Sequence, residues 1–289
     1  MRAAPDRLAL GAFAGAVVVG GANFVAVRFS NRELDPLWGA TLRFGLAAGV
    51  FAVLCAVLRL RLPRGRALAL VVTYGLLGFG VTYGCLYWAL QEVPAGIGAV
   101  VMAVGPLLTL LLAALHGLER LSPRALAGAV VALVGSVVIF FQPGETAFGW
   151  RPLVLLAVAA LAASESVVLS KRAGPLHPVA MNAVAMTAGS LALLVAATVA
   201  GERLVRPAGG ETQLALLYLV AGTVTLFLCV LVVVQRWSAS STAYVFVLMP
   251  IVAVVVGALV ADERITPTTV LGGAIVGAGV YIGALANRV

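Results

Sequence analysis

Arg43, Glu165, Asn23 and Asn182 stand inside stretches built otherwise mainly of Ala, Val, Leu and Gly. A guanidinium in such surroundings can clamp a carboxylate through two parallel hydrogen bonds, or its long stem can carry it out to water or to a nearby acid. Arg43 lies about six residues into its stretch, ~9 Å by helical rise, so both uses are within its reach. Glu165 is the one carboxylate well inside an apolar stretch. There it could bind and release a proton and so couple proton movement to another process, with Ser164 and Ser166 as hydrogen-bond donors. It could equally be neutralised by Lys171, ~9 Å further along the same helix. Asn182 reads as a hydrogen-bonded link to a neighbouring helix; Asn23 has that use or a place facing a cavity.

Tyr83 and Tyr87 are one helical turn apart, and with Tyr244 and the polarizable Met102 they could wall a site for an apolar or aromatic molecule. Trp88, nearer a stretch end, fits an interfacial belt. Pro106 and Pro250 lack an amide hydrogen and so free the carbonyl four residues earlier, at Met102 and Phe246. The outcome would be either a static bend or a pair of hinges lining a cavity, and Met102 and Phe246 join the candidate binding residues on that account. His116 and His177 lie near stretch ends, no His, Cys, Asp and Glu group has metal-ligand spacing, and no glycine-rich loop reads as a phosphate cradle. Neither enzyme chemistry nor a metal or cofactor is expected.

The elements that must hold these groups follow from composition. Of 289 residues 62% are apolar and only 10% charged, against about 45–50% and 25% in water-soluble domains. Runs long enough to cross a hydrocarbon core of about 30 Å are Leu8 to Val27, Leu37 to Leu58, Ala67 to Leu90, Ala95 to Leu118, Ala125 to Phe141, Pro152 to Ser170, Val179 to Ala200, Thr212 to Val234, Thr242 to Ala261 and Thr268 to Ala286. They predict an all-α membrane protein of ten transmembrane helices lying in a lipid bilayer. Asp35-Pro36, Pro63-Arg64-Gly65, Ser122-Pro123, His177-Pro178 and Thr266-Pro267 punctuate the runs. The first run is too long for a signal-peptide core and reads as a retained span. The pairs Gly11/Gly15, Gly45/Gly49, Gly80/Gly84 and Gly273/Gly277 read as close-packing devices. Cys55, Cys85 and Cys229 all fall inside runs and imply no disulfide framework.

The net charge of +8 does not point to nucleic acid, because almost all Lys and Arg sit in the breaks between runs. Twelve fall on the side shared by the two termini and six on the other, so both termini are expected in the cytoplasm. A shift of 144 residues aligns QEVPAGIGAVVMAVGPLLTLLLAALHGLERLSPRALAG with QRWSASSTAYVFVLMPIVAVVVGALVADERITPTTVLG without a gap. Pro106 meets Pro250, Glu119-Arg120 meets Glu263-Arg264, Pro123 meets Pro267, Gly128 meets Gly272 and Gly135 meets Gly279. The shift carries each helix five places along the chain, and an odd step reverses direction across the membrane. Two inverted five-helix repeats are therefore expected, residues 1–144 and 145–289, an architecture common in secondary transporters.

At these residues the chain resembles the EamA-type branch of the drug/metabolite transporter superfamily. The resemblance rests on GGANFVAVRF, PLWGATLRFGLAA, LYWALQEVPAGIGAVV, GPLLTLLLAALHGLERLSPRALAG and MPIVAVVVGALVADERITPTTVLGG. It implies a multi-pass protein of a bacterial inner membrane that moves a small-molecule substrate, an exported amino acid or related metabolite, by alternating access. The expected cavity lies among helices one, three, four, six, eight and nine. A nucleotide-sugar or lipid translocator of the same fold, or a receptor or assembly subunit that moves nothing, are the alternatives. Ser164-Glu165-Ser166 departs from the aromatic or small residue that many relatives carry there.

Overall fold

Prolines at the sequence breaks begin helices, where a missing amide hydrogen costs nothing. A computed structural model describes residues 6–92, 98, 101–140, 149–261 and 267–285, and among these no strand occurs. In chain order the helices are α1 (Arg7–Ser30), α2 (Pro36–Val57), α3 (Gly65–Ala89), α4 (Gly105–Leu115), α5 (Pro123–Phe140), α6 (Trp150–Arg172), α7 (Pro178–Val199), α8 (Gly210–Arg236), α9 (Ala239–Ala261) and α10 (Pro267–Leu285). Seven stretches among the described residues, in α2, α3 and α6 to α10, are long and apolar enough to cross a membrane. Arg7–Asn23 of α1, all of α4, and Pro123–Ile139 of α5 form shorter apolar helices. The protein spans the membrane several times.

The fourth run departs from the expected unbroken helix. Ala103 and Val104 form a turn, and α4 starts at Gly105 with Pro106 in its first turn. Pro106 therefore opens a helix instead of kinking one, while Pro250 stays inside α9. The neighbours account for the difference. Gly105 weakens helical continuity at the first site, whereas Met249 beside Pro250 is buried and seated in a notch of α1 formed by Gly20 and Gly21.

Packing crosses between the two sequence repeats. α1 lies on α8 and α9, α6 lies on α3 and α4, and α2 pairs with α7. α5 and α10 meet along glycines. A methyl on Gly128 would stand 2.8 Å from the Gly279 carbonyl oxygen and 2.5 Å from Gly283, and one on Gly135 would stand 2.8 Å from the Gly272 oxygen. The order of these contacts makes the two helices antiparallel. α3 and α7 touch likewise at Gly75 and Gly189. Of the glycines expected to pack closely, Gly11, Gly49, Gly84 and Gly277 have open space where a side chain would go. The close contacts use glycines about two turns apart, the spacing that keeps one helix face in line for longer.

Helix starts borrow carboxylates across the fold. Glu202 accepts from the amides of Leu37 (3.1 Å) and Trp38 (2.7 Å) at the start of α2. Glu119, after α4, accepts from the Ser240 amide (3.1 Å) and hydroxyl (2.5 Å) at the start of α9. Glu33 accepts from Ala208 (2.6 Å) and Gly209 (3.1 Å), just before α8. Each satisfies donors that a helix cannot pair internally.

Candidate functional site

Arg43 is 4% exposed, so it neither snorkels to water nor meets an outer acid. Its Nε donates to Thr223 Oγ1 of α8 at 2.6 Å, its guanidinium carbon stands 5.1 Å from the Phe44 ring centre, and the phenols of Tyr83 and Tyr87 lie near enough to feel its charge. Among the described residues no ion pair includes it. The surround is aromatic: Phe44 packs on Phe79 at 5.0 Å and on Tyr83 at 4.7 Å, Phe79 packs on Phe227 at 4.7 Å, and Tyr83 faces Tyr87 at 6.0 Å. Tyr83 and Tyr87 are half-buried. A π-helical segment, Leu76–Val81, interrupts α3 one step before them, a widening of the helix often found at functional sites.

Asn23 borders the same turn of α8. It is buried, and a methyl on Gly222 would lie 2.5 Å from its Oδ1. Neither its Oδ1 nor its Nδ2 has a hydrogen-bond partner, and the same is true of Asn182. The interhelical hydrogen bonds expected of these two amides are therefore not made.

A second polar cluster lies on α6. Glu165 Oε1 pairs with His116 Nε2 at 3.0 Å, while its buried Oε2 has no partner. Arg172 Nη1 lies 2.7 Å from His116 Nδ1. A guanidinium can only donate, so Nδ1 holds the lone pair and Nε2 carries the proton toward Glu165. Lys171 is turned away from Glu165 and donates to the carbonyls of Val234 and Trp237, both at 2.5 Å. Ser164 donates to the Gly105 carbonyl at 3.3 Å and Ser166 to Ala163 at 2.7 Å. Neither serine serves the carboxylate.

The remaining candidates lie apart. Tyr244 is 1% exposed, pressed on Gly283 of α10, and donates to the Ala125 carbonyl at 3.4 Å; it does not extend the Tyr83–Tyr87 wall. Phe246 packs against the core, and half-buried Met102 precedes the turn before α4. Thr223, Gly222, Phe227 and His116 were not singled out from sequence as site residues. Only His116 carried a signal, its position at the end of an apolar run.

Charges in the loops and at a helix start tie α1–α2 to α7–α8. Asp35 meets Arg203 at 2.9 Å and Arg32 meets Glu211 at 2.7 Å. The Arg203 side chain and amide hold the Asp35 carboxyl below the usual carboxylate range, and the amides of Ala208 and Gly209 do the same for Glu33.

The arrangement has close counterparts in known proteins. The profile of the EamA-like transporter family matches residues 7–141 and again residues 150–284. The uncharacterized inner membrane transporter YedA of Escherichia coli K12 is 30% identical over 89% of this chain and 84% of its own. A probable terminal-alkyne amino-acid exporter of Streptantibioticus cattleyicolor is 29% identical over 83% and 81% of the two chains. A probable amino-acid metabolite efflux pump of Escherichia coli K12 is 28% identical over 94% and 93%. A solved crystal structure shares the fold with a TM-score of 0.81 over 97% of both chains at 20% identity. Two matches that together take in both repeats, on a helical frame of this shape, make the protein a member of the EamA-like transporter family.

Proposed function

We propose that this transporter exports amino acids, aromatic ones included, or related small amphipathic metabolites by alternating access between two inverted five-helix halves, residues 1–144 and 145–289. The observation that carries the reading is the crossed glycine seam. Gly128 meets Gly279 and Gly135 meets Gly272, and the repeat offset turns each of these contacts into the other. Contacts that exchange in this way are those of a two-fold axis. With α5 antiparallel to α10, an axis of that kind runs across the helices, which supports halves of opposite orientation. The two family matches fall on either side of the proposed division. The names of the amino-acid exporters among the relatives support the cargo.

Both termini face the cytoplasm in this reading, and Glu165 is its candidate proton carrier. In a chain without native cysteines, a cysteine at Ser122 should react only with reagents reaching the cytoplasmic face and one at Thr266 only from outside. Labelling from the same side would remove the inverted halves. Export of amino acids from proteoliposomes tests the activity itself.

A further inference from the structure

We infer that Arg43 and Asn23 form the seat for the backbone of an α-amino acid, with the carboxylate on Arg43 and the ammonium on Asn23 Oδ1. The inference rests on the transporter reading above. A guanidinium stays charged, and a charge removed from water is retained where it is paired. Arg43 is 4% exposed, yet the partners around it are neutral: the Thr223 hydroxyl, the Phe44 ring face and the phenols of Tyr83 and Tyr87. These partly solvate the cation without neutralising it. A carboxylate supplies the missing charge and matches the planar fork of the guanidinium.

Asn23 is the second, independent sign of a ligand. It is buried with an unpaired donor and an unpaired acceptor, and an unmet amide in such a place is costly. Its Oδ1 rests against Gly222, the residue before the Thr223 that holds Arg43. The cation and the vacant amide thus converge on one turn of α8. An α-amino acid meets all three needs: its carboxylate accepts from Arg43 and from Asn23 Nδ2, and its ammonium donates to Asn23 Oδ1. Its side chain would then lie toward the half-buried Tyr83 and Tyr87. Gly222 is the positioning residue, because a side chain there would displace the amide.

The full-length protein in liposomes is loaded with an equimolar mixture of L-amino acids and their primary α-amides, and efflux is followed by mass spectrometry. The wild type should release acids in preference to the matching amides by roughly a hundredfold, since an amide leaves the guanidinium unpaired. Arg43→Gln should remove that preference by slowing the acids alone, and Arg43→Lys should restore part of it. Equal release of acids and amides by the wild type overturns the seat while leaving transport intact. So does an Arg43→Gln protein of unchanged thermal stability that loses both classes alike. Release of neither class overturns the amino-acid reading and the seat with it. Should Arg43→Gln fail to fold, Gly222→Ala decides: about a fivefold or greater rise in KM for acids with kcat kept supports the seat, and an unchanged KM overturns it.

Discussion

Glu165 and His116 are joined through Oε1 and Nε2 at 3.0 Å, and the far side of the ring is held by Arg172 at 2.7 Å. The carboxylate of α6 is therefore tied to the end of α4 through a neutral imidazole, with its other oxygen buried and unpaired. Protonating Glu165 would remove the acceptor charge that holds this link. Glu165→Gln should abolish amino-acid accumulation driven by an imposed pH gradient while sparing exchange at equilibrium. Accumulation that survives with unchanged pH dependence would make the carboxylate a structural tie only.

The loops that follow α1 and α7 make a different pH prediction. Asp35 and Glu33 have carboxyls depressed below their ordinary values of 3.8 and 4.5, so the contacts they make are at full strength above those values and weaken as pH falls through the depressed ones. Labelling of a cysteine placed at Gly84, where the added side chain has open space, taken relative to an exposed reference cysteine whose thiolate fraction falls with pH in the same way, should be flat from about pH 8 to 5 and rise only below about pH 4. Asp35→Asn should raise it at neutral pH. A rise centred near neutrality would assign access at this end of the helices to another group.

Gly135→Ala and Gly128→Ala should each cost about 1–3 kcal/mol of stability, because the new methyl meets backbone that cannot move aside. Gly11→Ala and Gly277→Ala should leave the melting temperature in detergent nearly unchanged, since nothing lies within 4 Å of the added carbon. Equal effects at the two pairs of sites would contradict the seam between α5 and α10.

Pro250→Ala adds a helical hydrogen bond to the Phe246 carbonyl inside α9. It should slow turnover more than it weakens substrate binding. Pro106→Ala falls in the first turn of α4, where the amide has no helical acceptor to gain, and turnover should stay within about twofold. Equal slowing in both variants would restore the symmetric pair of hinges that the repeat alone predicts.

Apolar runs and prolines made the helices legible because each reports locally on the chain. Pro36, Pro123, Pro178 and Pro267 all start helices where the breaks placed them. Depth and facing were harder. Tyr244 and Tyr83 both read as buried aromatics of a wall, yet periodicity says nothing about which neighbour a face meets, and Tyr244 turns to α10. Sequence pairs Glu165 with Lys171 because helical rise measures reach only along one helix; the partner in the structure, His116, comes from the end of another. Gly222 gave no sign at all, since its meaning depends on an asparagine near the other end of the chain.

The exchange of helix caps has a consequence for biogenesis. The first amides of α2 are met by Glu202, and the start of α9 by Glu119. Synthesis delivers α2 to the membrane long before Glu202 exists, so the early helix waits with those amides met by water alone. The acid for α9, by contrast, is in place before that helix emerges. The second half can thus assemble onto a prepared template, while the first locks only after α7 of the second half has been made. Expressed as separate polypeptides, the two halves should each be short-lived and should protect one another from proteolysis when made together.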